Sequence, residues 1–187
     1  MYHIKEDKRT KKSAELLCNA LNTCMKTKNF SDITIVDLQN ESFVSRATFY
    51  RLFDNTVDIL DYQCDRLFQS YLENEAAQKT ASLSVKERCL RFFDFLLKNK
   101  TALINTIKSG HIEIIYDCNN RYAEAMVRYF FGEQKISEND LQLITLLISS
   151  MMTGIGMYQM KDTEEKTAMD VYQTFQKIAK MMDDLIE

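Results

Sequence analysis

Apolar positions along this chain recur three and four residues apart, the spacing of one helical face. Between Lys8 and Lys28 the stripe is Ala14, Leu17, Cys18, Leu21 and Met25, which predicts a first helix over that span. Thr34-Ile-Val-Asp37 has the form of a capping box, in which the threonine oxygen and the aspartate hold free N–H groups at a helix start. It predicts a short second helix over 34–40. Ser45 is a good N-cap for a third short helix through Ala47, Phe49 and Tyr50. Asn55-Thr-Val-Asp58 caps a long fourth helix, which carries Ile59, Leu60, Tyr62, Cys64, Leu67, Phe68 and Tyr71 and ends near Glu75.

The polar stretch AAQKTASLS, residues 76–84, separates that helix from the next. The fifth opens at Ser84-Val-Lys-Glu87 and buries Leu90, Phe93, Leu96 and Leu97. Two further helices are predicted over 100–109 and 112–131, with a break at Gly110 and a C-cap at Gly132. Ser137-Glu-Asn-Asp140 starts a penultimate helix whose run from Leu141 to Tyr158 is apolar on nearly every side. The last helix shows one stripe: Ala168, Val171, Tyr172, Phe175, Ile178, Ala179, Met182 and Ile186. The expected fold is all-α, without internal repeats or long linkers.

Composition supports this. The 187 residues include no proline or tryptophan and four glycines, which favours uninterrupted helices. The five cysteines (Cys18, Cys24, Cys64, Cys89 and Cys118) never form a C-x-x-C pair. They read as small buried hydrophobes in a reducing compartment, and neither a disulfide framework nor a metal site is expected. The start MYHIKEDKRTKK lacks the apolar core of a signal peptide, and no segment is expected to span a membrane. A soluble, cytoplasmic protein follows as the expectation.

The net charge of −3 hides a gradient. Residues 1–51 carry nine Lys and Arg against six Asp and Glu, and the remainder fifteen against twenty-one, so the positive end is the N-terminal one. A long helix followed by two short ones, joined by a tight turn and rich in basic and aromatic residues, matches the helix-turn-helix plan for the DNA major groove. The stretch ITIVDLQNESFVSRATFYRLFDNTVDILDYQCDRLF resembles the DNA-binding module of the TetR family of transcriptional regulators. Thr34-Ile35, Leu38, Val44-Ser45, Phe49-Tyr50, Phe53 and Ile59-Leu60 stand at the family's spacing, and the likeness covers about residues 8–68. It departs at three places. Gln39 stands where the family usually has alanine, Phe43 where it often has the turn glycine, and Thr56 where it often has a phosphate-contacting lysine.

The resemblance implies a helix-turn-helix DNA-binding domain over 1–54 and a helical effector-binding and dimerisation domain over 55–187. Thr34 and Ser45, at helix starts, are expected to offer hydroxyls and N–H groups to phosphate. Arg46, Ala47, Thr48, Tyr50 and Arg51 form the expected reading face, where arginine bonds guanine and small apolar groups meet thymine methyls. Phe49 and Phe53 point inward as core. Lys5, Lys8, Arg9, Lys11 and Lys12 are expected to form a basic arm against the backbone or minor groove. The Phe43 ring is expected to pack against the first helix, its turn either avoiding a positive φ or tolerating strain.

TetR-like regulators pair their last two helices with those of a second subunit. The all-round apolar penultimate helix suits that use, with Ser149, Ser150, Thr153, Gly154 and Gly156 allowing close approach. Seven residues of the middle segments are candidates for an effector pocket: Phe93, His111, Tyr116, Tyr122, Met126, Tyr129 and Met152. They suit a small apolar or amphipathic molecule. His111, beside Gly110, reads equally as a helix-end partner. With two histidines, no nucleophile elbow and no phosphate-loop glycines, catalysis is not expected, and neither is a cofactor. The expected partners are double-stranded operator DNA, a second copy of the chain and an effector that releases a repressor.

Overall fold

The computed structural model describes residues 1–4, 7–77, 83–132, 136–161 and 166–186, the last five by backbone alone. Among them the chain is all-α. Helices run α1 Lys8–Cys24, α2 Ile35–Ser42, α3 Arg46–Leu52, α4 Val57–Ala77, α5 Val85–Lys98, α6 Lys100–Lys108, α7 Glu113–Phe131, α8 Glu138–Met160 and α9 Ala168–Ile186. Much of the linker at 76–84, and Lys5, lie outside the described residues, as do the side chains of Met182 and Ile186.

The helix starts are local events, and the sequence spelled most of them. Thr34 and Asp37 close a full capping box, as do Ser84 and Glu87. Ser45 accepts from the Thr48 N–H, Ser137 from the Asp140 N–H, and Asn55 from the Asp58 N–H. Gly110 and Gly132 both take positive φ at the predicted helix ends. Helix α1 stops four residues short of expectation, at Cys24, where Met25 caps it through the Leu21 carbonyl. Nothing apolar in Lys26–Asn29 would hold a further turn against the core. The chain instead makes a 3-10 turn at Phe30–Asp32, and Phe30 sets its edge on the His111 ring at 5.7 Å.

The N-terminus corrects the expected arm. Residues Tyr2 and His3 fold back along the end of α3: Tyr2 forms an isolated antiparallel bridge with Phe53, and the His3 N–H donates to Leu52 O at 2.8 Å. The Tyr2 ring lies edge-on to Tyr62, and its hydroxyl donates to Asp65 of α4. Lys8, Arg9, Lys11 and Lys12 then belong to the first turns of α1, with Asp7 as its N-cap. The half-buried Tyr2, with Asp65 and Tyr62 as partners, ties the N-terminal residues to α4.

One contiguous apolar core runs from Ala14 in α1 to Met152 in α8. Helix α4 is its spine. Near its start Tyr62 meets Phe53, and near its end Tyr71 meets Phe92, Phe95 and Tyr129 at 5.0–5.4 Å. Buried Glu75 closes that end, accepting from the Arg91 guanidinium at 2.9 Å and from the Tyr129 hydroxyl at 2.7 Å. Midway, Arg121 of α7 holds Asp61 and Asp65 at 2.6 and 2.9 Å. The spine is thus tied to α5 and α7 by groups far apart in sequence.

Helix α8 is long and almost wholly uncharged. It carries no charged residue from Leu141 to Met160, and it is one helix long and apolar enough to cross a membrane, with only 28% of the relevant window buried. A single such helix is weak evidence for a span. Its inner side is fastened within the bundle: Asn119 of α7 donates to Thr145 O at 2.9 Å and to Ser149 Oγ at 2.7 Å.

Candidate nucleic-acid interface

Helices α2 and α3 are joined by Phe43, Val44 and Ser45. Val44 is buried and so pins the turn to the module's core, and Phe43 before it must swing into the left-handed region, φ 57 and ψ 17. The Ser42 hydroxyl donates to Leu38 O at 2.5 Å and accepts from the Val44 N–H at 3.1 Å, which holds the reversal. A non-glycine residue there costs about 1 kcal/mol or more. The ring does not pack on α1 as expected: Phe43 is 92% exposed. A three-residue link that buries Val44 leaves the preceding side chain facing away from the core. The sequence signal was a bulky residue at a turn where the TetR-like pattern that the chain resembles often has glycine, but only the structure shows where the ring goes.

Helix α3 divides cleanly. Phe49, Leu52 and the following Phe53 are fully buried, while Arg46, Ala47, Tyr50 and Arg51 lie outside and Thr48 is intermediate. The Arg46 guanidinium stands 5.6 Å from the Tyr50 ring centroid, a cation-π pair that stiffens both side chains. α3 contains no acidic residue. Lys8, at the start of α1, is exposed.

The two cap residues are more occupied than the sequence implied. The Thr34 N–H and hydroxyl both donate to Asp37 Oδ2 at 2.9 Å, and the Ser45 hydroxyl donates to Thr48 Oγ1 at 3.0 Å. Their donor hydrogens are therefore turned inward, and a phosphate would displace them or use neighbouring N–H groups. Asp37 also pairs with Lys28 at 2.7 Å; that bond, with the cap, holds its carboxyl down at about 2. Thr56 is half-buried, its carbonyl accepting from the Ile59 N–H.

The seven candidate pocket residues do not gather in one place. Met126 and Met152 are wholly buried core. Tyr122 stacks on Phe68 at 5.7 Å, and burial raises both its hydroxyl and that of Tyr129 to about 12. The Tyr116 hydroxyl lies 3.2 Å from Ser150 Oγ on the surface. His111 is a helix-end group, its N–H donating to Thr106 O and its Nδ1 at 2.8 Å from Glu113 Oε1. Phe93 does line an open space. It is an apolar groove of about 460 Å³ between α5, α7, α8 and α9, walled by Phe92, Phe130, Phe131, Ile148 and Met151 among others. A second, polar cleft of about 520 Å³ lies between α1, α4 and the α5–α6 corner, lined by Asn19, Asn22, Gln63, Arg66 and Lys98.

All five cysteines are free. Burial pushes Cys18 and Cys64 up to about 12 and raises Cys118 further, so these thiols stay protonated and inert. Among the described residues no group of three metal-ligating side chains could hold an ion.

No protein-family model matches the chain, and no curated protein sequence matches it significantly. Among solved structures it is similar to Lin0861 from Listeria innocua, at 19% identity and a TM-score of 0.76 over 96% of each chain. At that identity the likeness extends to the fold alone: the Listeria innocua protein has a similar chain path over 96% of each chain.

Proposed function

We propose that this chain is a TetR-type, sequence-specific DNA-binding transcriptional regulator, a repressor released by a small-molecule effector. It works as a cytoplasmic homodimer and is not an enzyme. The outward face of α3 carries the reading: two arginines, a tyrosine and an alanine stand outside a helix whose other face is locked by buried Phe49 and Leu52. That is the chemistry of base readout, with charge for guanine and small apolar groups for thymine.

Two modules are needed to span successive major grooves about 34 Å apart. The outer faces of α8 and α9 supply the joint, since Leu143, Leu146, Leu147, Phe175, Ile178 and Met181 are exposed there. The effector occupies the groove around Phe93, whose lining calls for an apolar molecule. From that groove Phe92 touches Tyr71 of α4, and α4 leads to the end of α3. A molecule that repacks Phe92 shifts the spine and the spacing of the two modules.

The test is binding of the full-length protein to its own promoter region across a salt series. Affinity should fall linearly on a log–log plot, with a slope set by the phosphates contacted. No affinity at low salt overturns the reading.

A further inference from the structure

Phe43 is disfavoured twice over. It holds a left-handed backbone that glycine or asparagine would adopt with less strain, and it exposes nearly its whole ring while the module's Phe49 and Phe53 are fully buried. The turn fixed by Ser42 and Val44 imposes the left-handed backbone, but it does not call for a phenylalanine there or for an exposed ring. A strained, exposed aromatic points to a partner that covers it.

The surroundings identify the partner's chemistry. Phe43 stands three residues ahead of Arg46, at the N-terminal end of α3, the end from which a recognition helix reaches base edges. The exposed neighbours that follow are Ser45, Arg46, Ala47, Tyr50 and Arg51, a cationic surface without an acid on the helix. A polyanion fits this surface. The apolar patches a duplex offers beside its phosphates are thymine methyl groups and deoxyribose faces. Resting on the reading of this chain as a DNA-binding regulator, we infer that Phe43 is a further recognition residue: its ring lies on such a patch at the groove edge and extends the reading surface beyond α3.

The decisive variants are Phe43→Gly and Phe43→Asn in the full-length protein, because fold and binding should move in opposite directions. Relief of the left-handed strain should leave the melting temperature unchanged or raise it, while affinity for the wild-type site falls about tenfold. Phe43→Tyr should keep most of the affinity. Duplexes with uracil in place of thymine separate the two contacts. If the ring meets a methyl, uracil weakens wild type more than Phe43→Gly; if it meets sugar, uracil affects both alike and the loss in Phe43→Gly persists. Two outcomes overturn the inference while the functional reading stands: Phe43→Gly binding as tightly as wild type, or losing affinity only along with several degrees of melting temperature. A wild-type protein without DNA affinity sinks the functional reading first, and this inference with it.

Discussion

Helices α3 and α8 each have one face in the core and one outside, and the two faces are composed in opposite ways. In α3 the inside is aromatic and aliphatic, Phe49 and Leu52, and the outside is charged and polar. In α8 the inside holds Thr145, Ser149, Met152, Thr153 and Gly156, while Leu143, Leu146, Leu147 and Met157 lie outside. Leu147 is 61% exposed, yet Ser149 two residues on is fully buried. Water explains the arrangement of α3 without help. It does not explain α8, whose outer face leaves Leu143, Leu146, Leu147 and Met157 exposed together. The two ends of the molecule thus present different surfaces, one charged and one apolar, and on the proposed function the first meets DNA and the second a second copy of the chain.

The largest expected effect separates the module's fold from the dimer. Phe49→Ala empties a fully buried site and should cost about 3–5 kcal/mol of stability. Operator binding should vanish while light scattering still reports a dimer, since the α8–α9 face is untouched; a monomer would show that the two regions are not separable. Next comes Leu147→Glu, which puts a charge on the exposed apolar face and should weaken dimerisation by about 2–4 kcal/mol. An unchanged dimer moves the interface elsewhere. Gly154, with open space at its Cβ position, permits a parallel test by Gly154→Leu. Gly156 does not, because a side chain there would meet Ile107 of α6.

On the ionic side, Arg51→Ala should cost about 1–3 kcal/mol at the specific site and little on random DNA. Lys8→Ala should weaken all DNA alike and lower the salt slope by about one. Equal losses on both kinds of DNA would demote Arg51 to a backbone contact. The smallest effect appears only in alkali and concerns the body between the two ends. Tyr122 and Tyr129 keep their protons to about pH 12 in the folded state, whereas an unfolded tyrosine releases its proton near 10. The folded form therefore binds more protons over that window, and stability should decline as pH rises from about 10 to 12. A titration at 295 nm should show a delayed fraction of the nine tyrosines. Simultaneous release of all nine near pH 10 would count against the packing around α4.

Much of this was legible in the sequence because caps and stripes act within three or four residues. Thr34 and Asp37, Ser84 and Glu87, and Asn55 and Asp58 meet in space as they are spaced in the chain, so the order and the starts of the helices followed from local chemistry. The inward turn of Phe49 and Phe53 followed from their chemistry together with the family resemblance. Features that depend on distant partners were not legible. Residues Tyr2 and His3 lie along α3 and α4 because Tyr2 finds Asp65, sixty-three residues away. Of the small residues in α8, Ser149, Thr153 and Gly156 proved to face their own bundle, leaving Ser150 and Gly154 outside. A helix apolar all round carries no label saying which side is in. The groove at Phe93 likewise exists only because α5, α7, α8 and α9 converge there. The sequence by itself determined the order of the helices, most of their starts and the charged face of α3, since those depend on neighbours along the chain. Tertiary structure decided the fate of Tyr2, the choice of face in α8 and the place of the groove, because each is set by which distant surfaces compete to bury the same side chains.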